Sequence, residues 1–266
     1  AFIRQDLGRY GRLRDRPDLR ATSRLSPHLA FGEIGPAQVW HAAHHAEARD
    51  PSRAEGAARF LSELGWREFS YHLLAAEPDM PRRPLRPAFD RFPFAADDGA
   101  LSAWQTGLTG YPIVDAGMRE LWRTGWMHNR VRMIAASFLV KDLLLPWTAG
   151  LDWFADTLVD ADVASNAASW QWVAGSGADA APFFRIFNPT LQGRKFDPAG
   201  DYIRRFVPEL AALPDDLIHE PAADPAAAGR FGVHIGRDYP APIIDHGVAR
   251  RRALDAFASM KQEFAA

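Results

Sequence analysis

Three stretches of the chain set unlike chemical groups at helical spacing. Glu63, Trp66 and Arg67 stand at i, i+3 and i+4, and Asn129, Arg132 and Met133 repeat that spacing. Asn166 and Trp170 lie four apart, with Trp172 turned away from Trp170 on the same short helix. Residues three or four apart share a helix face. An acid, an indole and a guanidinium can therefore address one cavity, and so can an amide, a guanidinium and a thioether. The same spacing also suits core Trp and Met flanked by surface charges, and both readings stay open. An arginine buried beside an indole needs a counter-charge. Asp160 and Asp162, just ahead of Asn166, are candidates for Arg132 and for the polar edge of a ligand.

A fourth stretch, Thr22-Ser23-Arg24-Leu25-Ser26-Pro27, puts three hydroxyls and an Arg ahead of a short helix. Helix-start N–H groups with hydroxyls can cradle a diphosphate; the same residues also make an ordinary helix cap. Tyr10, Arg12 and Arg14 lie just upstream and suggest phosphate contact, of a cofactor or of a nucleic acid. His41 and His45 share a face, but no acid completes a metal site there, so these read as surface histidines. Neither a G-x-G-x-x-G, nor a Walker A sequence, nor H-E-x-x-H is present.

The elements that must carry these groups read as helices. Gly35-Pro36 opens one that runs to about 49. Ser52 is placed to cap another over 53–76, ended by Pro78. Further helices are expected over 101–107, 112–123, 126–145, 151–158, 163–174 and 201–206, with an Arg-rich amphipathic helix over 246–264. The Pro-rich stretch 78–100 reads as a surface excursion, Pro182 and Pro189 punctuate an irregular segment, and 208–242 reads as an irregular connection. No βα alternation appears. The expected fold is all-α, one helical domain over 1–266 with about ten helices.

Composition narrows the function. With 47% hydrophobic residues in 266, a sizeable core is available. The absence of cysteine excludes disulfides, thiolate nucleophiles and cysteine-held metal clusters. No stretch reaches the roughly 18 apolar residues of a membrane span. The net charge of −2 argues against a globally basic nucleic-acid binder but permits a local patch, and residues 1–24 hold seven Arg against three Asp. Only three of the 31 basic residues are Lys, which suits planar contacts to phosphate and equally a compositional bias. A start at Ala rather than Met suggests a piece of a longer protein.

Four strings carry a family resemblance: TSRLSPHLAFGEI at 22–34, FLSELGWREFSYHLL at 60–74, LTGYPIVDAGMRELWRTGWMHNRVRMIAASFLVKDLL at 108–144 and DADVASNAASWQWVAGSGADAAPFFRIFNPTLQGRKFD at 160–197. With them the chain resembles the FAD-binding helical domain of the photolyase/cryptochrome family, most closely bacterial class I cyclobutane pyrimidine dimer photolyase, without its N-terminal α/β antenna domain. The resemblance implies that Tyr10, Thr22, Ser23, Arg24, Leu25 and Ser26 wrap the FAD diphosphate and ribose. It places Arg67 beside the cofactor, Arg132 with Asp160 against the isoalloxazine, Asp162 at its pyrimidine edge and Asn166 at N5. On the substrate side it implies Glu63 as the acid that assists the damaged base, Asn129 and Met133 lining the lesion pocket, Trp66 and Trp172 as its aromatic walls, and Arg14 and Arg185 on the damaged strand. Met133, where the (6-4) enzymes carry a His pair, favours the cyclobutane substrate. Broad indole faces repay stacking lost by a flipped base.

The implied reaction is light-driven: FADH⁻ lends an electron to the dimer, two C–C bonds break, and the electron returns. Of the family's three photoreduction tryptophans, Trp170 and Trp147 match, whereas the distal position is Phe94. Slow or unusual photoreduction with intact repair by pre-reduced enzyme is therefore expected. The resemblance further implies UV-damaged DNA as partner, a monomer normally joined to an α/β domain, a cytoplasmic bacterial location, no metal cluster and no antenna chromophore on this chain. Two rival functions are a cryptochrome-like blue-light sensor and a non-catalytic FAD-binding domain.

Overall fold

Proline, glycine and capping residues divide the chain, and the apolar periodicity between them decides what each piece buries. A computed structural model describes residues 1–179 and 184–265, with side chains through 262; Pro182 lies outside the described residues. Fourteen α-helices run through them: α1 (Phe2–Gln5), α2 (Tyr10–Leu13), α3 (Ser26–Ala30), α4 (Pro36–Arg49), α5 (Ala54–Ala76), α6 (Asp98–Thr106), α7 (Pro112–Thr124), α8 (Asn129–Ser137), α9 (Trp147–Thr157), α10 (Val163–Ala174), α11 (Pro189–Phe196), α12 (Asp201–Phe206), α13 (Pro225–Arg230) and α14 (His246–Ala265). The β pairing among the described residues is one isolated bridge, Ile235 with Tyr239, so the fold is all-α as expected. Among the described residues no helix is long and apolar enough to cross a membrane.

The helix ends show which local signals act. Asp50, not Ser52, is the cap ahead of α5: its carboxylate accepts from Ser52 N at 3.2 Å and Ser52 Oγ at 2.6 Å, and a 3-10 turn, Pro51–Arg53, leads into the helix. The helix expected over 126–145 is shorter and changes type. His128 caps α8, its Nδ1 accepting from Arg130 N at 3.2 Å, and beyond Ser137 the chain widens into a π turn, Phe138–Asp142. α11 replaces the irregular segment expected around Pro189, because Asn188 caps it and Pro189 occupies its first turn.

Two apolar bodies form. Leu7, Tyr10, Val39, Ala43, Phe60, Leu61 and Leu64 make the smaller. The larger runs from α6 to α12 and buries Trp104, Phe138, Trp170 and Tyr202. α5 joins them, packing on α2 and α4 and also on α10. A third cluster, including Phe89, Phe92, Leu144, Phe184 and Met260, clips 78–100 and α14 to the π turn. The stretch 78–100 is tied down through Met80, Phe89 and Phe92, while most of its residues are exposed. Gln171, entirely buried, accepts from Leu85 N at 2.8 Å and donates to the carbonyls of Met80 and Arg83. The 208–242 connection contains α13 and buries Leu210, Ile218, Val233 and Tyr239, so its irregular backbone still carries core.

Candidate functional site

Between the two apolar bodies lies a cavity of about 650 Å³, within the usual range for cofactor and small-molecule sites, about 300–1,000 Å³. Three walls enclose it.

The first is Tyr10 and the strip 22–26, all of which border the cavity. Tyr10 is held edge-on to Phe60 at 5.5 Å, and burial pushes its phenol up to about 12, which keeps its proton at neutral pH. The strip does not cap α3 through a side chain, so the plain capping reading of its hydroxyls fails. Arg24 sits at φ +53°, with its guanidinium carbon 4.3 Å from the centre of the Trp126 ring.

The second wall is α5. Its length and straight i, i+3, i+4 register bring Glu63, Trp66 and Arg67 to the cavity together. Arg14, just after α2, pairs with Glu63. Trp66 is 51% exposed and meets Phe69 edge-on at 5.7 Å, an open indole at the cavity mouth. Arg67 pairs with Glu68 and lies 4.6 Å from the centre of the Tyr71 ring.

The third wall is α8 with 160–173. Asn129, Arg132 and Met133 all reach the cavity. Arg132 Nη2 donates to Asp160 Oδ2 at 2.8 Å, and its Nε donates to the Met127 carbonyl at 2.8 Å. Asp160 is the counter-charge for Arg132, while Asp162 is used otherwise: it caps α10 through Ser165 N at 2.7 Å and accepts from the Tyr71 hydroxyl. Asn166 Nδ2 donates to the Leu151 carbonyl at 3.0 Å. Trp170 packs edge-on against Phe154 at 5.0 Å and Trp104 at 6.2 Å. Trp170 and Trp172 both border the cavity. The cap on α8 is neutral, because burial lowers the His128 imidazole to about 4.

Three of the singled-out residues stand elsewhere. Trp147 is buried in the larger core. Phe94 packs against Phe92 at 4.8 Å. Arg185 meets Trp172 at a separate cavity of about 20 Å³. No group of three or more metal-ligating side chains occurs among the described residues. Several residues around the cavity escaped sequence reasoning, Trp126 and Tyr71 among them. Trp126 falls at the start of the helix expected over 126–145, three residues before Asn129, but was not singled out; it stands just ahead of α8 and borders the cavity. Tyr71 reaches the site only through Asp162, 91 residues away.

Comparison with known proteins places this architecture. The chain is 57% identical over 266 residues to deoxyribodipyrimidine photo-lyase of Agrobacterium fabrum, covering 98% of this chain and 54% of that protein. It is 42% identical to cryptochrome-1 of Arabidopsis thaliana, covering 98% of this chain and 39% of that protein. It superimposes on a crystal structure of a bacterial class III photolyase from Agrobacterium tumefaciens with a TM-score of 0.94 and 57% identity, over 98% of this chain and 54% of that one. The chain thus spans about half the length of the photo-lyase it matches. The class III match corrects the class I expectation. Residues from each of the four strings border the cavity. A model of the FAD binding domain of DNA photolyase matches residues 60–259, and the chain belongs to that family.

Proposed function

We propose that this chain holds FAD in the cavity and, as a deoxyribodipyrimidine photo-lyase, splits cyclobutane pyrimidine dimers in UV-damaged DNA under light. One observation carries the reading. The hydroxyl strip 22–26 and the trio Glu63, Asn129 and Met133 border a single cavity, so a cofactor and an inserted base can meet in one space. The lining also suits a flavin dinucleotide. Trp126 Nε1 and Asp160 Oδ1 are buried without hydrogen-bond partners, and both residues border the cavity. Buried polar atoms left unpaired cost about 1–3 kcal/mol each, a cost that a polar ligand removes.

In this reading Tyr10, Thr22, Ser23, Arg24, Leu25 and Ser26 hold the diphosphate and ribose. Arg67 stands beside the cofactor, and Arg132, Asp160, Asp162 and Asn166 hold the ring system. Bound there in its reduced form, FAD supplies a photo-excited electron that opens the cyclobutane ring and is then returned, so the reaction is redox-neutral. The chain's part is orientation and electrostatics. Trp66 and Trp172 stack against the flipped dimer, and Asn129 and Met133 bound it. Glu63, held by Arg14, offers its carboxyl group to the damaged base. Arg14 and Arg185 meet the strand. No antenna chromophore is expected on these residues, and the protein acts as a monomer.

Photoreduction is a separate matter. Trp170 and Trp147 continue as electron carriers, and Phe94 stalls the distal step because its ring is far harder to oxidise than an indole. Transient absorption tests this: a long-lived solvent-exposed Trp radical formed as efficiently as in a three-tryptophan enzyme overturns it.

The main experiment illuminates the reduced, FAD-loaded protein with a thymine-dimer oligonucleotide. Recovery of intact thymines under light is expected and none in the dark. No recovery despite bound reduced flavin rejects repair and leaves the sensor or the non-catalytic domain. Glu63→Ala should lower the repair yield with flavin retained; loss of flavin instead makes Glu63 structural.

A further inference from the structure

Lys141 is 1% exposed. Hiding an ammonium group is costly unless it is well partnered, and burial brings its pKa down to about 7. The adjacent Asp142 forms no salt bridge with it: Asp142 Oδ1 pairs with His246 at the start of α14, its carbonyl accepts from Arg252, and its Oδ2 is buried without a hydrogen-bond partner. Lys141 instead donates to the Arg185 carbonyl at 2.9 Å, and its Nζ lies 3.7 Å from the centre of the Phe184 ring. Four residues earlier, Ser137 Oγ accepts from Phe187 N at 3.4 Å. Two side chains at the end of α8 and in the π turn therefore grip the segment 184–187 through its backbone. Widening from α to π changes the phase of the side chains, and such π turns recur at functional sites. The small cavity of about 20 Å³ beside Lys141 is also lined by Ser137, Trp172 and Arg185, large enough for one water to take a remaining ammonium proton. The side-chain hydrogen bond of Lys141 thus goes to a carbonyl of 184–187 and not to the adjacent carboxylate. It fixes a loop.

We propose that Lys141 is a positioning residue for DNA binding: by holding the Arg185 carbonyl and the Phe184 ring from inside the fold, it sets where the exposed Arg185 side chain stands beside Trp172 to meet a backbone phosphate. The proposal rests on the reading above that this face receives damaged DNA. Phosphate contacts orient the strand without reading its bases, so the effect of Lys141 is the same for damaged and undamaged duplex.

The test measures affinity of the FAD-loaded protein for thymine-dimer duplex and for undamaged duplex over a salt series, in Lys141→Met, Arg185→Ala and the double variant. Lys141→Met is expected to weaken both duplexes by the same factor, about tenfold, and to reduce the slope of log affinity against log salt by about 1. The double variant should bind no worse than Arg185→Ala alone. The loss should fall on affinity and not on the splitting rate at saturating DNA. Wild-type affinity and slope in Lys141→Met, losses that multiply in the double variant, or a loss confined to the damaged duplex overturns the proposal. Should the Met variant fail to load flavin, Lys141→Gln keeps a donor for the Arg185 carbonyl and is read in the same series. An intermediate loss coupled to Arg185 is expected, and wild-type or uncoupled behaviour overturns the proposal. A wild-type protein that binds neither duplex rejects the photolyase reading itself, a result distinct from normal wild-type binding with silent Lys141 variants.

Discussion

The strip 22–26 and the wall of α8 with 160–173 face one cavity, but the chain builds them in opposite ways. On the wall, polar side chains are already held: Arg132 by Asp160 and the Met127 carbonyl, Asp162 by Ser165 N and Tyr71, Asn166 by the Leu151 carbonyl. On the strip, α3 lacks a side-chain cap, and Arg24 is held at φ +53° with its guanidinium resting on Trp126. A wall fixed by its own hydrogen bonds presets the orientation of whatever lies on it. On the strip the one such bond among the described residues is local, Leu25 N donating to Ser23 Oγ at 3.4 Å, so its side chains are less tied to the rest of the fold. The two sides of the cavity thus differ in kind, one fixed by its own hydrogen bonds and the other holding a cation that rests on a ring.

If the wall is preset from within, breaking it should cost fold and ligand together. Arg132→Met leaves Asp160, with a side chain 2% exposed, buried without its cation, a change worth about 3–5 kcal/mol. Denaturant unfolding should show that loss, with flavin lost in parallel. Unchanged stability would mean that the wall is not self-supporting.

The cap on α8 makes the wall acid-sensitive. The His128 imidazole is held near 4 by burial, against 6.5 for an ordinary histidine, so between those values the unfolded chain binds more protons than the folded one. Stability therefore is full above pH 6.5 and declines as pH falls through 4. His128→Asn keeps a capping oxygen and should flatten that limb in a melting series. An identical pH profile in the variant counts against the cap.

Gly150 tests how tightly the wall is packed behind Trp170. A Cβ there would stand 2.1 Å from Trp170 Cη2 and 2.6 Å from Leu139 Cδ2. Gly150→Ala should cost about 1–3 kcal/mol by overpacking and shift Trp170 fluorescence, whereas an unperturbed spectrum would reveal slack. The smallest effect on stability belongs to the strip. Arg24→Gly removes a side chain from a left-handed backbone position and should change stability by no more than about 1 kcal/mol. Flavin affinity, measured by titrating the apoprotein, should still fall about tenfold with loss of the cation and its stacking. A large drop in stability would erase the contrast between strip and wall.

Much of this was legible along the chain. The helices over 163–174 and 201–206 match α10 and α12 residue for residue, and the run expected from Gly35-Pro36 to about 49 is α4, because Pro, Asp or Gly marks their ends. The expected helix over 126–145 was misjudged at its start, since Trp126 and Met127 continue an apolar period that His128 interrupts by capping. Pro189 misled in the opposite direction: two prolines seven residues apart look like a loop, yet a proline in the first turn is compatible with a helix. Of the site, the three triples and the strip were visible as spacing. That Trp126 carries Arg24, and that Tyr71 holds Asp162, were not.

By itself the sequence determined a helical chain with its acids, amides, arginines and indoles grouped at helical spacing, because propensity, capping and periodicity act within a turn or two. Only the tertiary structure decided which groups meet: Arg14 with Glu63 across 49 residues, Lys141 with the Arg185 carbonyl across 44 and Tyr71 with Asp162 across 91. Those pairings follow from how α5, α8 and α10 cross around the two apolar bodies. A crossing is set by side-chain packing between distant segments, for which local spacing carries no signal.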